Sequence, residues 1–205
     1  MNQKRLVLGN LDTNCYLVWA DNGEGIVIDP ADNAEELLNA IQEANITVTA
    51  VVLTHAHFDH MLAAEELCKA TGAPLYVGKG DQAALSDPVR NLSQWVSPDS
   101  PIILNSDKTL SEGDTIAFGD EKLTVLETPG HTPGCICLYS DGVLFSGDTL
   151  FRNSIGRLDF PGGNPEAMLQ SLQRLISLPG DTAVYSGHGP ATTIECEIMR
   201  NPYLR

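Results

Sequence analysis

The sequence predicts an α/β fold in which two β-sheets pack face to face with helices on their outer sides. Three observations point there. Two blocks of short apolar runs are separated by an irregular, proline-bearing stretch over residues 80–112. Each block passes into an amphipathic helical pattern, which a sheet needs to cover its outer face. Every cluster of chemistry-bearing side chains falls in a loop just after an apolar run, the usual place of a site in an α/β sheet.

In the first block, Leu6-Val7-Leu8, Cys15-Tyr16-Leu17-Val18-Trp19 and Gly25-Ile26-Val27-Ile28-Asp29 predict three strands, the last closed by Pro30. A helix follows, capped at Asn33 with Glu36 in the capping-box position and Leu37, Leu38, Ile41 and Ala44 as its buried stripe. The run Val48 to Leu53 predicts a strand leading straight into a histidine-rich loop. Ala63, Ala64, Leu67 and Cys68 then suggest a helix ending near Gly72, and Leu75 to Val77 another strand. Residues 80–112 carry Pro88, Pro98 and Pro101 with weak periodicity, so a mobile or irregular cover with some helix is expected there.

The second block predicts strands at Thr115 to Phe118, Leu123 to Glu127, Ile136 to Tyr139 and Val143 to Phe145, with Asp141-Gly142 as a hairpin turn. Asn164-Pro165-Glu166 opens a helix with cap and proline in the proper order, burying Met168, Leu169, Leu172, Leu175 and Ile176. Thr182 to Tyr185 is the final strand, and a short tail follows His188. No repeat, low-complexity tract or linker interrupts the chain, so residues 1–205 are expected to form a single domain.

Charge and cysteine usage narrow the function. The formal net charge is -15, with 12 Lys and Arg against 27 Asp and Glu. A nucleic-acid binder needs a basic footprint to displace counterions, so nucleic-acid partners are excluded. The five cysteines are odd in number and form no Cys-x-x-Cys pair. With no signal-peptide pattern and no apolar run of membrane-spanning length, a cytoplasmic protein without membrane attachment is expected.

All five histidines fall within one pattern. Three lie in Thr54-His55-Ala56-His57-Phe58-Asp59-His60, one in Thr128-Pro129-Gly130-His131-Thr132-Pro133-Gly134, and His188 in Ser186-Gly187-His188-Gly189-Pro190; an isolated acid stands between the last two, in Ser146-Gly147-Asp148. Neutral imidazole is the commonest protein metal ligand, and such dense packing of His with Asp suits neither a core nor a solvated face. The pattern predicts a metal site, with ligands enough for two ions.

Together with Ile28-Asp29-Pro30, these motifs resemble the metallo-β-lactamase superfamily over nearly the whole chain. The resemblance implies a four-layer αββα sandwich with the metals in a cleft at one edge. Carried over by position, it gives one ion to His55, His57 and His131 and a second to Asp59, His60 and His188. Asp148 would bridge them together with a water or hydroxide. Two cations lower the pKa of a shared water toward neutrality, which makes a Ser-His-Asp apparatus unnecessary. The catalytic residues implied are Asp148, as the bridge, and Asp59, as a hydrogen-bonding group that collects a proton. Asp29 and Thr54 suit either the outer support of ligands or plain strand-end turns. Cys135, four residues past His131, is a weaker ligand candidate because Asp148 is available and thiolates tend to close a site. Zinc is the expected metal, with iron or manganese as alternatives for a His/Asp set.

Within the superfamily, Gly147-Asp148-Thr149-Leu150-Phe151 and Gly156-Arg157 resemble the type II glyoxalases, the hydroxyacylglutathione hydrolases, in single-domain form. The resemblance implies hydrolysis of the thioester of S-D-lactoylglutathione or a related small molecule. Arg157 would be the substrate-binding residue, since an arginine fork suits a peptide carboxylate; the competing reading is a surface arginine offsetting Asp159. Three departures concern the substrate. Asp159 stands where larger glyoxalases carry an aromatic residue, Leu62-Ala63 where Gly-Gly is common, and no separate C-terminal helical domain is expected.

Three rivals share parts of the pattern. Persulfide dioxygenases carry a similar Gly130-His131-Thr132-Pro133-Gly134-Cys135 and Gly156-Arg157-x-Asp159-Phe160, and would bind one iron through His55, His131 and Asp148. The complete second set favours hydrolysis over that chemistry. Secreted β-lactamases fit less well, because no signal peptide is evident. A metallated binding or regulatory protein with little turnover is the reading from a different class.

Overall fold

A computed structural model describes residues 1–204 and contains two six-stranded sheets. The first is built from β1 (Asn2–Leu8), β2 (Thr13–Trp19), β3 (Glu24–Ile28), β4 (Thr47–Leu53), β5 (Leu75–Gly78) and β6 (Lys108–Leu110), in that spatial order. Strands β1 to β3 pair antiparallel, and β3 through β6 run parallel. The parallel pairs need crossovers. Helix α1 (Ala34–Glu43) supplies the first and α2 (Ala64–Thr71) the second, while a 3-10 stretch (Lys79–Ser86) and the short α3 (Ser93–Val96) lie within the third.

Strand alternation explains why β2, β3 and β4 read as continuous apolar runs. Cys15, Leu17, Val27, Val51 and Leu53 face α1 and α2, where Leu37, Ile41 and Leu67 meet them. Their neighbours Tyr16, Val18, Ile26, Ile28 and Val52 point the other way, into the second sheet. Both faces are therefore buried, the condition that replaces alternation by an unbroken hydrophobic stretch. Each such Leu or Ile contributes about 1.5–3 kcal/mol by leaving water.

The second sheet takes β7 (Thr115–Phe118), β8 (Glu121–Glu127), β9 (Ile136–Ser140) and β10 (Val143–Gly147). A small hairpin of β11 (Leu150–Phe151) and β12 (Ser154–Ile155) and then α4 (Pro165–Leu175) lead to β13 (Ala183–Ser186), β14 (Thr192–Thr193) and α5 (Ile194–Arg200). The strand order is β14-β13-β10-β9-β8-β7. Phe118, Leu123, Val125, Leu138 and Phe145 face the first sheet, whereas Cys137, Leu144 and Val184 lie under Met168, Leu172 and Leu175 of α4. The layers run helix, sheet, sheet, helix, the αββα sandwich that the sequence implied.

The predicted caps form. The Asn33 side chain accepts from the Glu36 amide at 3.2 Å and donates to its carboxylate at 2.9 Å, and Asn164 accepts from the amides of Glu166 and Ala167. Several short elements escaped the sequence reading: β6, the β11–β12 hairpin, β14 and α5. Strand β6 is three residues long with only Leu110 fully buried, too short to show a period. The tail after His188 holds β14 and α5, with Ile194 and Glu197 buried; seven residues hardly register as a helical pattern. No helix among the described residues is long and apolar enough to cross a membrane. All five cysteines are free thiols.

Candidate metal centre

The site lies where the two sheets are stitched together at one edge. The Asn14 amide donates to the Gly187 carbonyl at 2.7 Å, and the Ile136 amide to the Thr54 carbonyl at 2.9 Å. These bonds bring four loops into register: those after β4, β8, β10 and β13. They carry His55, His57, Asp59 and His60; His131; Asp148; and His188.

All seven residues fall into three overlapping groups whose ligand-capable atoms lie within 4.8 Å of one another. The groups are His55, His57 and His131; Asp59, His60 and His188; and His55, His60 and Asp148. In the first, His57 Nδ1 sits 3.1 Å from His55 Nε2 and 2.9 Å from His131 Nε2. In the second, Asp59 Oδ2 is 3.5 Å from His60 Nε2 and 3.2 Å from His188 Nε2. Asp148 reaches both, with Oδ1 3.5 Å from His60 Nε2 and Oδ2 3.6 Å from both His131 Nε2 and His188 Nε2.

The outer nitrogens decide which way the imidazoles present their lone pairs. His131 Nδ1 meets the Arg157 carbonyl at 2.6 Å, His188 Nδ1 the Leu11 carbonyl at 3.1 Å, and His60 Nδ1 the Asp29 carboxylate at 2.9 Å. Carbonyls and carboxylates only accept, so each Nδ1 carries a proton and each Nε2 is left as the inward-facing atom that can meet a cation. Thr54 gives its hydroxyl proton to Asp29 at 2.7 Å, so its oxygen can accept from His55 Nδ1 at 3.2 Å. Asp29 and Thr54 thus touch ligand candidates directly. Asp29 has φ 51°, a strained value for a non-glycine residue, and that bend follows β3 directly.

Burial makes the cluster costly without a cation. His60 Nε2 and Asp148 Oδ1 are buried atoms with no hydrogen-bond partner, as is His57 Nε2. Burial, followed by the neighbouring histidines, pushes His55 well below its ordinary pKa and His57 down to about 2, which leaves both neutral. Burial also works against a proton on His60, yet Asp59, Asp29 and Asp148 outweigh it and raise its pKa to about 10. For Asp59 burial favours the neutral acid, but His60 and His188 prevail and lower its pKa, so it stays ionised. Inward-facing Nε2 atoms, orphaned buried atoms and converging carboxylates suit one or two divalent cations.

Close approach demands glycine here. A Cβ on Gly187 would collide with Asp148 Oδ1 and lie 2.7 Å from His60 Cε1. Asp81, which sequence reading missed, ties the first histidine group together. It accepts from the Ala56 amide at 2.9 Å, the Gly134 amide at 2.8 Å and the Thr132 hydroxyl at 2.7 Å. As a lone acid in an irregular stretch it carried no sequence signal. Thr13 was missed too; its hydroxyl donates to Asp59 Oδ2 at 3.0 Å.

Cys135 belongs to none of the three groups. Its thiol is buried, lies 3.1 Å from the Thr132 hydroxyl, and is pushed up in pKa by burial. Ser146 donates to the Leu150 carbonyl at 2.7 Å, a bond within the turn that carries Asp148.

A cleft of about 280 Å³ opens over the cluster. Leu11, Phe58, Leu92, Phe151 and Phe160 line it beside the candidate ligands, and Arg157 is the one cation lining it among the described residues. The Arg157 guanidinium donates to Asp159 through Nε at 3.0 Å and Nη2 at 2.7 Å, and it stacks 4.2 Å from the Phe160 ring centre.

Comparison with known proteins agrees with this geometry. Residues 8–188 match the family model described as the metallo-beta-lactamase superfamily. A solved structure of BLEG-1, described as a B3 metallo-beta-lactamase, superposes with TM-score 0.93 at 37% identity, covering 99% of each chain. The solved structure of TTHA1623 in a di-iron-bound form gives TM-score 0.88 at 39% identity, covering 98% of this chain and 100% of that one. Among curated relatives, a protein of Haemophilus influenzae named hydroxyacylglutathione hydrolase GloC is 32% identical, over 100% of this chain and 98% of its own length. The chain belongs to the metallo-beta-lactamase superfamily, and with its clustered His/Asp metal-binding site it is a metal-dependent hydrolase.

Proposed function

We propose that this chain is a dinuclear thioester hydrolase acting on S-D-lactoylglutathione or a related hydroxyacylglutathione. The observation that carries the reading is that Asp148 stands within 3.6 Å of members of both ligand groups, so that one carboxylate can serve two ions. His55, His57 and His131 would hold one ion and Asp59, His60 and His188 the other. When bound, such a pair ionises a water near neutral pH and polarises a carbonyl.

The chain's own residues do the rest. The carbonyls of Arg157 and Leu11 and the carboxylate of Asp29 keep each imidazole in the tautomer that offers Nε2. Asp59 presents Oδ2, steadied by Thr13, as an acceptor for the proton of the attacking water. Leu11, Phe58, Phe151 and Phe160 surround the acyl group and limit bulk water. The full-length likeness to the Haemophilus influenzae hydroxyacylglutathione hydrolase supports the substrate class. Zinc is the proposed metal; the di-iron form of TTHA1623 makes iron the alternative to measure against it.

The test is a panel on one metal-loaded sample: S-D-lactoylglutathione, a neutral lactoyl thioester, a lactone, a β-lactam and glutathione persulfide with oxygen uptake recorded. Thioester hydrolysis that disappears in Asp148→Ala is the expected result. Oxygen uptake with persulfide, or turnover confined to the β-lactam, would replace this reading.

A further inference from the structure

We propose that Asp159 is a specificity-determining residue, an internal carboxylate that occupies the Arg157 fork and competes with a carboxylate of the substrate. This rests on the thioester reading above. The paired donors of a guanidinium match one carboxylate. Here two of those donors, Nε and Nη2, already close on the two oxygens of Asp159, while Phe160 supports the guanidinium plane from one side. Among the described residues no other Lys or Arg lines the cleft.

A glutathione thioester carries carboxylates, and any of them that reaches Arg157 must displace Asp159. A neutral thioester meets no such competition and relies on Leu11, Phe58, Leu92, Phe151 and Phe160. Asp159 therefore raises KM for carboxylate-bearing thioesters relative to neutral ones. The pair is exposed, with side-chain accessibilities of 64% and 67%, so the competition is modest and open to measurement.

The experiment compares wild type with Asp159→Asn and Asp159→Ala, two exposed replacements that leave the core untouched. KM is measured for S-D-lactoylglutathione and for S-lactoyl-N-acetylcysteamine, a neutral thioester, on the metal-loaded enzyme. The ratio of the two KM values should fall about two- to fivefold in both variants, the range that freeing an exposed ion pair allows. The fall should vanish when Arg157→Ala is combined with either. An unchanged ratio overturns the proposal. So does an equal fall in the Arg157→Ala background, which would mark a general charge effect. If wild type cleaves neither thioester, the functional reading fails. Calorimetric binding of S-methylglutathione then decides this inference alone, tighter binding by Asp159→Asn supporting it and equal binding refuting it.

Discussion

Asp81 accepts the hydroxyl of Thr132 at 2.7 Å across a separation of 51 residues. The same oxygen takes the Ala56 amide, so one buried carboxylate clamps the loop between His55 and His57 to the loop beside His131. The first histidine group is held from behind at a single point.

Asp81→Ala removes an acceptor from two buried amides. Each lost partner costs about 1–3 kcal/mol, so the metal-free protein should lose about 2–6 kcal/mol of stability. Urea unfolding monitors this, and chelator competition should show weaker binding of the ion at the first group. A variant with wild-type stability and affinity would remove Asp81 from this role.

Asp29→Ala frees the outer nitrogen of His60 and the Thr54 hydroxyl together. Loss of such an outer contact lowers metal affinity about 10–100-fold. Stepwise metal titration should show the loss mainly in the ion proposed for Asp59, His60 and His188. An equal loss at both sites would mean that Asp29 only shapes the turn.

The sequence carried the sandwich because its central strands are buried on both faces, and Val27 beside Ile26 and Ile28 reads as one apolar run whichever way each points. The candidate ligands were equally legible, since histidine is scarce and dense here. What stayed hidden acts through backbone geometry across long separations. Asp81 meets Ala56 and Gly134 through main-chain amides, and no local spacing encodes those contacts. The pairing of Arg157 with Asp159 was visible as two charges two residues apart, but the bidentate fork over Phe160 needed coordinates.

Gly187→Ala places a methyl against Asp148 Oδ1 and His60 Cε1, where nothing can yield without moving a candidate ligand. Metal content and turnover should both drop at least tenfold while far-UV circular dichroism stays native, because the clash is confined to the site. A fully loaded, active Gly187→Ala protein would contradict the packing described.

Proton release should separate the two ions. His55 and His57 are held neutral by burial, so neither has a proton to expel when the first group takes a cation at neutral pH. His60 faces Asp29, Asp59 and Asp148, with His55 and His188 also beside it, and its pKa is raised to about 10. Below that value the metal-free protein keeps a proton there. Its stabilising effect is complete below the ordinary histidine pKa and is lost as pH rises through about 10. Against burial, Asp59 and Asp148 raise the His188 pKa as well, so loading the second group at neutral pH should release at least one proton, with affinity rising as pH rises. Indicator measurements in weak buffer, equivalent by equivalent, check this; equal release by both ions would refute it.

The central claim is that seven side chains from four loops hold two cations around one shared carboxylate. Saturation metal binding on the purified chain, followed by elemental analysis after gel filtration, tests it most directly. The account predicts two ions per chain in wild type and a clear loss in Asp148→Ala. A wild-type protein that saturates with a single ion, or an Asp148→Ala protein that still retains two, would contradict it.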